Sequence, residues 1–182
     1  MDETYRPFFF YGTSQPDSRG FGSTIAKSVT EHAPAHLADA TLYIGPSYPL
    51  GIHERGGTGI TGTICLLEER LFDQLLADID DQEGYNGEGR SDNLYVREVA
   101  WVDVDPCDTW TGESRVRAYV YMASDETMED EGAEFVRSPS GDWHNHSDEW
   151  EDTAEEREAE EAAEEAAEAE AEAADDEDED DR

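Results

Sequence analysis

Asp78-Ile79-Asp80-Asp81-Gln82-Glu83-Gly84-Tyr85 closes a stretch patterned as a helix, and it closes it with the wrong charge. Leu71, Phe72, Leu75, Leu76 and Ile79 recur at helical spacing and form one apolar stripe over residues 68–81. Glu68 and Glu69 suit the first turn, and Gly84 stands where a helix C-terminus commonly turns left-handed. Asp80, Asp81 and Glu83 do not suit the end they occupy, because each charge there opposes the macrodipole by roughly 0.3–1 kcal/mol. Either carboxylates fall everywhere in this chain, or one of these has a task.

The composition favours the first answer until other residues are considered. The 182 residues carry 48 acidic against 12 basic side chains, a formal net charge of −36. The run 148–182 accounts for −19 of this, so the rest is itself strongly acidic. Such a body repels itself. With Lys27 the lone lysine, it reads as a halophilic protein, since salt at 1 M shortens the Debye length to about 3 Å. Nucleic acid is excluded as a ligand, because phosphate contacts need lysine and arginine. Anionic membrane surfaces are excluded on the same ground. No run approaches the roughly 18 apolar residues of a membrane span, and the N-terminus lacks a signal-peptide pattern. A cytoplasmic protein is expected.

Outward from the helix, six stretches read as strands: Phe8–Tyr11, Ala40–Ile44, Pro49–His53, Gly59–Leu67, Leu94–Asp103 and Ser114–Ser124. Leu94–Asp103 is apolar on both faces, as in a sheet covered on both sides. Residues 23–32, Ser-Thr-Ile-Ala-Lys-Ser-Val-Thr-Glu-His, read as a short helix that Ser23 could cap. The expected class is α+β: a small mixed β-barrel of about six strands with flanking helices and an acidic C-terminal tail. The domain is expected over 5–125, a polar linker over 126–147 and a low-complexity tail over 148–182. The tail's alanine and glutamate favour helix, yet its like charges repel at i,i+4 spacing, so it should be largely disordered in dilute buffer. A solvating appendage is its plain role; docking of a cationic partner is the functional one.

Cys65 lies in the strand-like Gly62–Leu67 and reads as a small buried hydrophobe; a disulfide to Cys107 is not expected in a reducing cytosol. His144 and His146 stand two apart in a polar stretch without further ligands in sight, so no metal is expected. Arg19–Thr24 resembles part of a dinucleotide fingerprint but lacks its third glycine. Phe8–Pro16 differs: a buried strand ends in Tyr11-Gly12-Thr13-Ser14. Gly12 lets the backbone turn so that the amides of residues 12–14 could converge on one ligand.

Taken together, Tyr11-Gly12-Thr13, Asp80-Asp81-Gln82-Glu83-Gly84-Tyr85, Tyr95-Val96-Arg97 and Ala118-Tyr119-Val120-Tyr121 resemble, in order and spacing, the gamma-glutamyl cyclotransferase-like family over residues 7–124. Tyr48-Pro49 and Ile60–Ile64 look like further pieces of it. One departure is Ser14-Gln15-Pro16, where many members have an apolar residue after the Tyr-Gly-Thr. The resemblance implies a small β-barrel and an internal reaction. The α-amine of a gamma-glutamyl group attacks its own side-chain carbonyl, giving 5-oxoproline and a free amine or amino acid.

That reaction needs a base, because an α-amine of pKa about 8 is mostly protonated at neutral pH. On the resemblance Glu83 is the catalytic base, a carboxylate whose desolvation raises its pKa toward the working range. Asp80 and Asp81 are expected to face solvent. Gly12, Thr13 and Ser14 would hold the glutamyl end through their amides. Tyr11 would line the pocket, and Tyr121 would line it and donate from its hydroxyl. No metal or organic cofactor is required, and the partner is a small gamma-glutamyl amide: a gamma-glutamyl amino acid, gamma-glutamylcysteine or a gamma-glutamylamine. Two other classes fit the same residues: a non-catalytic small-molecule binding module, and an interaction protein acting through its tail.

Overall fold

The computed structural model describes residues 5–16, 23–130 and 134–146. The chain divides into two units, Met1–His146 and Ser147–Arg182. The second unit, with the expected acidic tail, lies outside the described residues, as does the Ser23 side chain proposed as a cap.

All six expected strands form, and two more join them. In chain order they are β1 (Phe8–Phe10), β2 (Val29–Leu37), β3 (Ala40–Ile44), β4 (Pro49–His53), β5 (Ile60–Leu67), β6 (Tyr95–Val104), β7 (Arg115–Ala123) and β8 (Val136–Arg137). The helices are α1 (Ser23–Ser28), α2 (Phe72–Gln82) and α3 (Asp125–Asp130). Five strands close a barrel in the order β1-β5-β2-β6-β7, while β4-β3-β8 make a separate sheet. Every pairing is antiparallel except the closure, where Phe8 of β1 meets Tyr119 of β7 in parallel. The class is therefore α+β with a small mixed barrel of five strands. Among the described residues no helix is long and apolar enough to cross a membrane.

The expected helix over 23–32 ends at Ser28, and β2 begins at once. Ala33, Ala35 and Leu37 point inward and are buried, while His32, Pro34 and His36 alternate toward the surface. Small alanines and a proline hide this two-residue period in the sequence. Pro34 is tolerated because β2 pairs with β6 only at Ala35 and His36. Its missing N–H falls just past that ladder, and its carbonyl still accepts from Asp105 N–H at 2.9 Å.

The expected linker is another correction. Within 126–147 the chain forms most of α3, the strand β8 against β3, and a 3-10 turn at Trp143–Asn145. Phe135, Val136 and Trp143 are buried, and Tyr48 packs on Phe135 with ring centroids 5.3 Å apart. Three apolar residues spread through a polar stretch leave no periodic signal, yet they bury enough surface to hold it on the body.

The apolar stripe of α2 anchors the core. Phe72, Leu75, Leu76 and Ile79 are buried and cluster with Phe8, Leu67 and Tyr119. The Phe8, Phe72 and Tyr119 rings lie 5.4–6.2 Å apart, at tilted angles suited to aromatic quadrupoles. Cys65 is fully buried as a small hydrophobe; burial pushes its thiol pKa up to about 12, and both cysteines are free. β6 departs from its expected two-sided cover. Trp101 is 54% exposed, with the Arg115 guanidinium 5.6 Å from its ring centroid.

Candidate active site

The helix ending that opened the question is a Schellman closure. Gly84 adopts φ +63°. Its N–H donates to the Asp81 carbonyl at 3.3 Å, and the Tyr85 N–H donates to the Asp80 carbonyl at 2.8 Å. Glu83 is the last residue before the reversal, with its own N–H on the Ile79 carbonyl at 2.9 Å. The closure sends the three acids to different fates. Asp81 is exposed. Asp80 is not solvent-facing as expected: its Oδ2 accepts from Arg97 Nη1 at 2.7 Å and its Oδ1 from the Tyr121 hydroxyl at 2.6 Å. Glu83 turns toward the end of β1.

There, Gly12–Ser14 form a single 3-10 turn directly after the strand. Gly12 has φ +74°, and a Cβ on it would sit 2.3 Å from Pro49 Cγ. Both facts demand glycine. Gly12→Ala should cost about 1–2 kcal/mol from the left-handed backbone alone, and more from displacing Pro49. Urea denaturation should show a lower midpoint with an unchanged slope.

The turn delivers Ser14, which is buried, to Glu83. Its hydroxyl donates to Glu83 Oε1 at 2.6 Å and accepts from Gln82 Nε2 at 3.1 Å. Glu83, Tyr11, Thr13, Ser14 and Tyr121 line one cavity together with Phe9, Phe10, Pro49 and Tyr95. Counting its open mouth the cavity spans about 320 Å³; its interior has about 20 Å³ of room for the centres of water molecules, little more than one water needs. Of the expected site residues only Gly12 is not in the lining; it stacks behind the turn, on Pro49.

Part of Glu83 is accessible, but its carboxyl end is dry enough that burial raises its pKa, opposed by the Ser14 hydrogen bond. Tyr11 is fixed by donating its hydroxyl to the Tyr121 carbonyl at 2.5 Å. Burial, and then the charge of Glu83, raise its phenol pKa. Tyr121 lines the cavity, but its expected role as a donor needs correcting. Its proton is committed to Asp80, and burial first, then that bond, raise its pKa. It offers the cavity a ring and an oxygen lone pair. The Tyr95 hydroxyl donates to the Pro49 carbonyl, pinning the start of β4 to the start of β6.

Four residues that shape the site were not singled out as site residues in the sequence: Gln82, Asp80, Arg97 and Tyr95. The spacing Tyr95-Val96-Arg97 is the one signal that could have found two of them. In a strand, Tyr95 and Arg97 share a face; here Tyr95 is at the cavity and Arg97 meets Asp80 beneath Tyr121.

No family model matches the sequence, and no curated protein matches it. Solved structures do resemble it in fold. An AIG2-like protein, GGACT, from Mus musculus is 18% identical, with a TM-score of 0.46 over 66% of this chain and 78% of that one. A protein from Arabidopsis thaliana, solved in solution, is 17% identical, with a TM-score of 0.51 over 87% of this chain and 89% of that one. At these identities the likeness concerns the fold alone, and the barrel of the described residues is the part of the chain that shows it.

Proposed function

We propose that this protein cyclises a gamma-glutamyl amide, releasing 5-oxoproline and an amine. The observation that carries the reading is the Glu83 carboxylate in a narrow, largely aromatic cavity shared with the turn 11–14. The substrate's α-ammonium gives a proton to Glu83. The freed amine attacks the side-chain carbonyl carbon; the new C–N bond closes a five-membered lactam while the bond to the leaving nitrogen breaks. Glu83 returns that proton to the leaving nitrogen and takes the second proton, which the attacking nitrogen loses on becoming the lactam N–H. Passing it to the released amine, which departs as an ammonium, restores the carboxylate and balances the cycle without an outside acid. The amides of residues 12–14 would hold the glutamyl end, where donors facing developing charge are typically worth about 3 kcal/mol each. The close walls of Phe9, Phe10, Pro49 and Tyr95 would favour the folded-back conformer in which amine and carbonyl touch.

The test is incubation in molar salt with a panel of gamma-glutamyl amino acids, gamma-glutamylcysteine and gamma-glutamylamines, with 5-oxoproline as the readout. Because Glu83 must be ionised to act and burial raises its pKa, kcat/KM should fall as pH drops through that raised value. Deleting residues 148–182 should leave turnover unchanged. One observation favours the second reading, a binding module without turnover. The cavity interior is small, and Ser14 already occupies one carboxylate oxygen. Saturable binding of a gamma-glutamyl compound with no 5-oxoproline at any pH would select that reading.

A further inference from the structure

Ser14 is the residue at which this chain leaves the family pattern, and its hydroxyl is one donor with two lone pairs. We infer that Gln82 and Ser14 form a positioning relay for Glu83: the Gln82 amide fills a lone pair of Ser14 and commits the single Ser14 hydrogen to Glu83 Oε1. The inference rests on the reading of Glu83 as the base and assigns that base its partners.

The geometry is specific at both joints. The 2.6 Å contact from Ser14 to Glu83 is the length of a hydroxyl donating to an ionised carboxylate, while the 3.1 Å contact from Gln82 is ordinary for an amide. Gln82 and Glu83 are adjacent at the end of α2, so one Schellman turn sets both ends of the relay, and Ser14 comes in from β1. Ser14 is buried, which fixes its position, whereas Gln82 is exposed and can be changed without disturbing the core.

The surroundings make this hydrogen bond the principal support for charge on Glu83. From the residue just after β1 it faces the Tyr11 phenol and from β7 the Tyr121 phenol, both kept neutral by raised pKa values. Asp80, three residues earlier on α2, is itself paired with Arg97 of β6. Among the described residues no cation forms an ion pair with Glu83. Burial disfavours its charged form, and the hydroxyl of Ser14 opposes burial. The relay would hold Oε1 in place and leave Oε2 outside the chain of bonds, available to the substrate's ammonium.

Four proteins test it: wild type, Ser14→Ala, Ser14→Thr and Gln82→Ala. With a substrate the wild type turns over, Ser14→Ala should move the acid limb of the kcat/KM profile to higher pH. Activity on that limb should fall about tenfold and recover at alkaline pH, the loss expected when one hydrogen bond to a charge is removed. Ser14→Thr, which keeps a hydroxyl, should restore the profile. Gln82→Ala should shift it in the same direction by less. In parallel, the Glu83 carboxyl carbon is titrated in protein labelled with ¹³C at glutamate Cδ, its signal identified by its loss in Glu83→Gln. Upward movement of that titration in Ser14→Ala and Gln82→Ala supports the relay. An unchanged titration in both overturns it. If the wild type makes no 5-oxoproline, the cyclisation fails, yet the titration still decides the relay.

Discussion

Glu83→Gln is expected to reduce 5-oxoproline release by about 10²–10⁴-fold, the usual contribution of a positioned base, while making the protein harder to unfold at pH 8. The two effects share one cause. The amide keeps the shape of the side chain and can still accept from Ser14, so the turn 12–14 stays in place. What is lost is a charge that burial disfavours. A carboxyl whose folded pKa is raised binds more protons in the native state than in the unfolded one across the window between the two values. Stability therefore falls as pH climbs from the unfolded glutamate value, about 4.3, to the folded one, and the deficit persists above it. The variant lacks that deficit. Its melting temperature should exceed the wild type's by a few degrees at pH 8, with the gap closing below about pH 4. Thermal melts across pH and a 5-oxoproline assay read both halves. A variant that is inactive but no more stable would mean that the carboxylate is not dry; one that is stable and still active would remove Glu83 from the chemistry.

The same trade explains how much of this molecule could be read from its residues. Strands with large apolar side chains announced themselves, because phenylalanine, isoleucine, valine and tyrosine at a period of two fit only a half-buried sheet. β2 did not, since alanine contributes little hydrophobic signal and Pro34 argues against a strand until the length of its neighbour's ladder is known. Residues 134–146 did not, since their few apolar anchors answer to β3, far away in sequence. At the site, Tyr11, Thr13 and Glu83 were visible through order and spacing, and they do share a cavity. The partners that set their chemistry were not. Asp80 looks like Asp81 in a chain rich in acids; only the Schellman turn separates them, placing one against Arg97 and leaving the other in water. Gln82 could not be distinguished from any polar helix end, because its meaning depends on a serine 68 residues away.

Arg97→Leu is the second large effect expected, and it falls on the fold. The Arg97 side chain is 12% exposed and that of Asp80 21%. The guanidinium also lies 5.1 Å from the Tyr85 ring centroid and 5.3 Å from that of Tyr119. Leucine preserves much of the packing and removes the counter-charge that Arg97 gives Asp80 beneath the cavity. Breaking a buried pair from one side typically costs 3–5 kcal/mol, and the partial exposure of Asp80 places this one near 3 kcal/mol. Arg97→Lys should recover only part of this, because a point charge cannot lie flat between two rings. Asp80→Asn should cost less than Arg97→Leu, since its amide oxygen still accepts from Tyr121 and no carboxylate is stranded. Removing both charges together should then be milder than the sum of the single losses. Such a double-mutant cycle isolates the pair from the stacking. Urea midpoints at fixed molar salt measure all four proteins, salt being held constant because Arg97 also offsets a body of strong net negative charge. Additive losses would show that Asp80 and Arg97 are neighbours without coupling, and the acid at this helix end would again have no explanation.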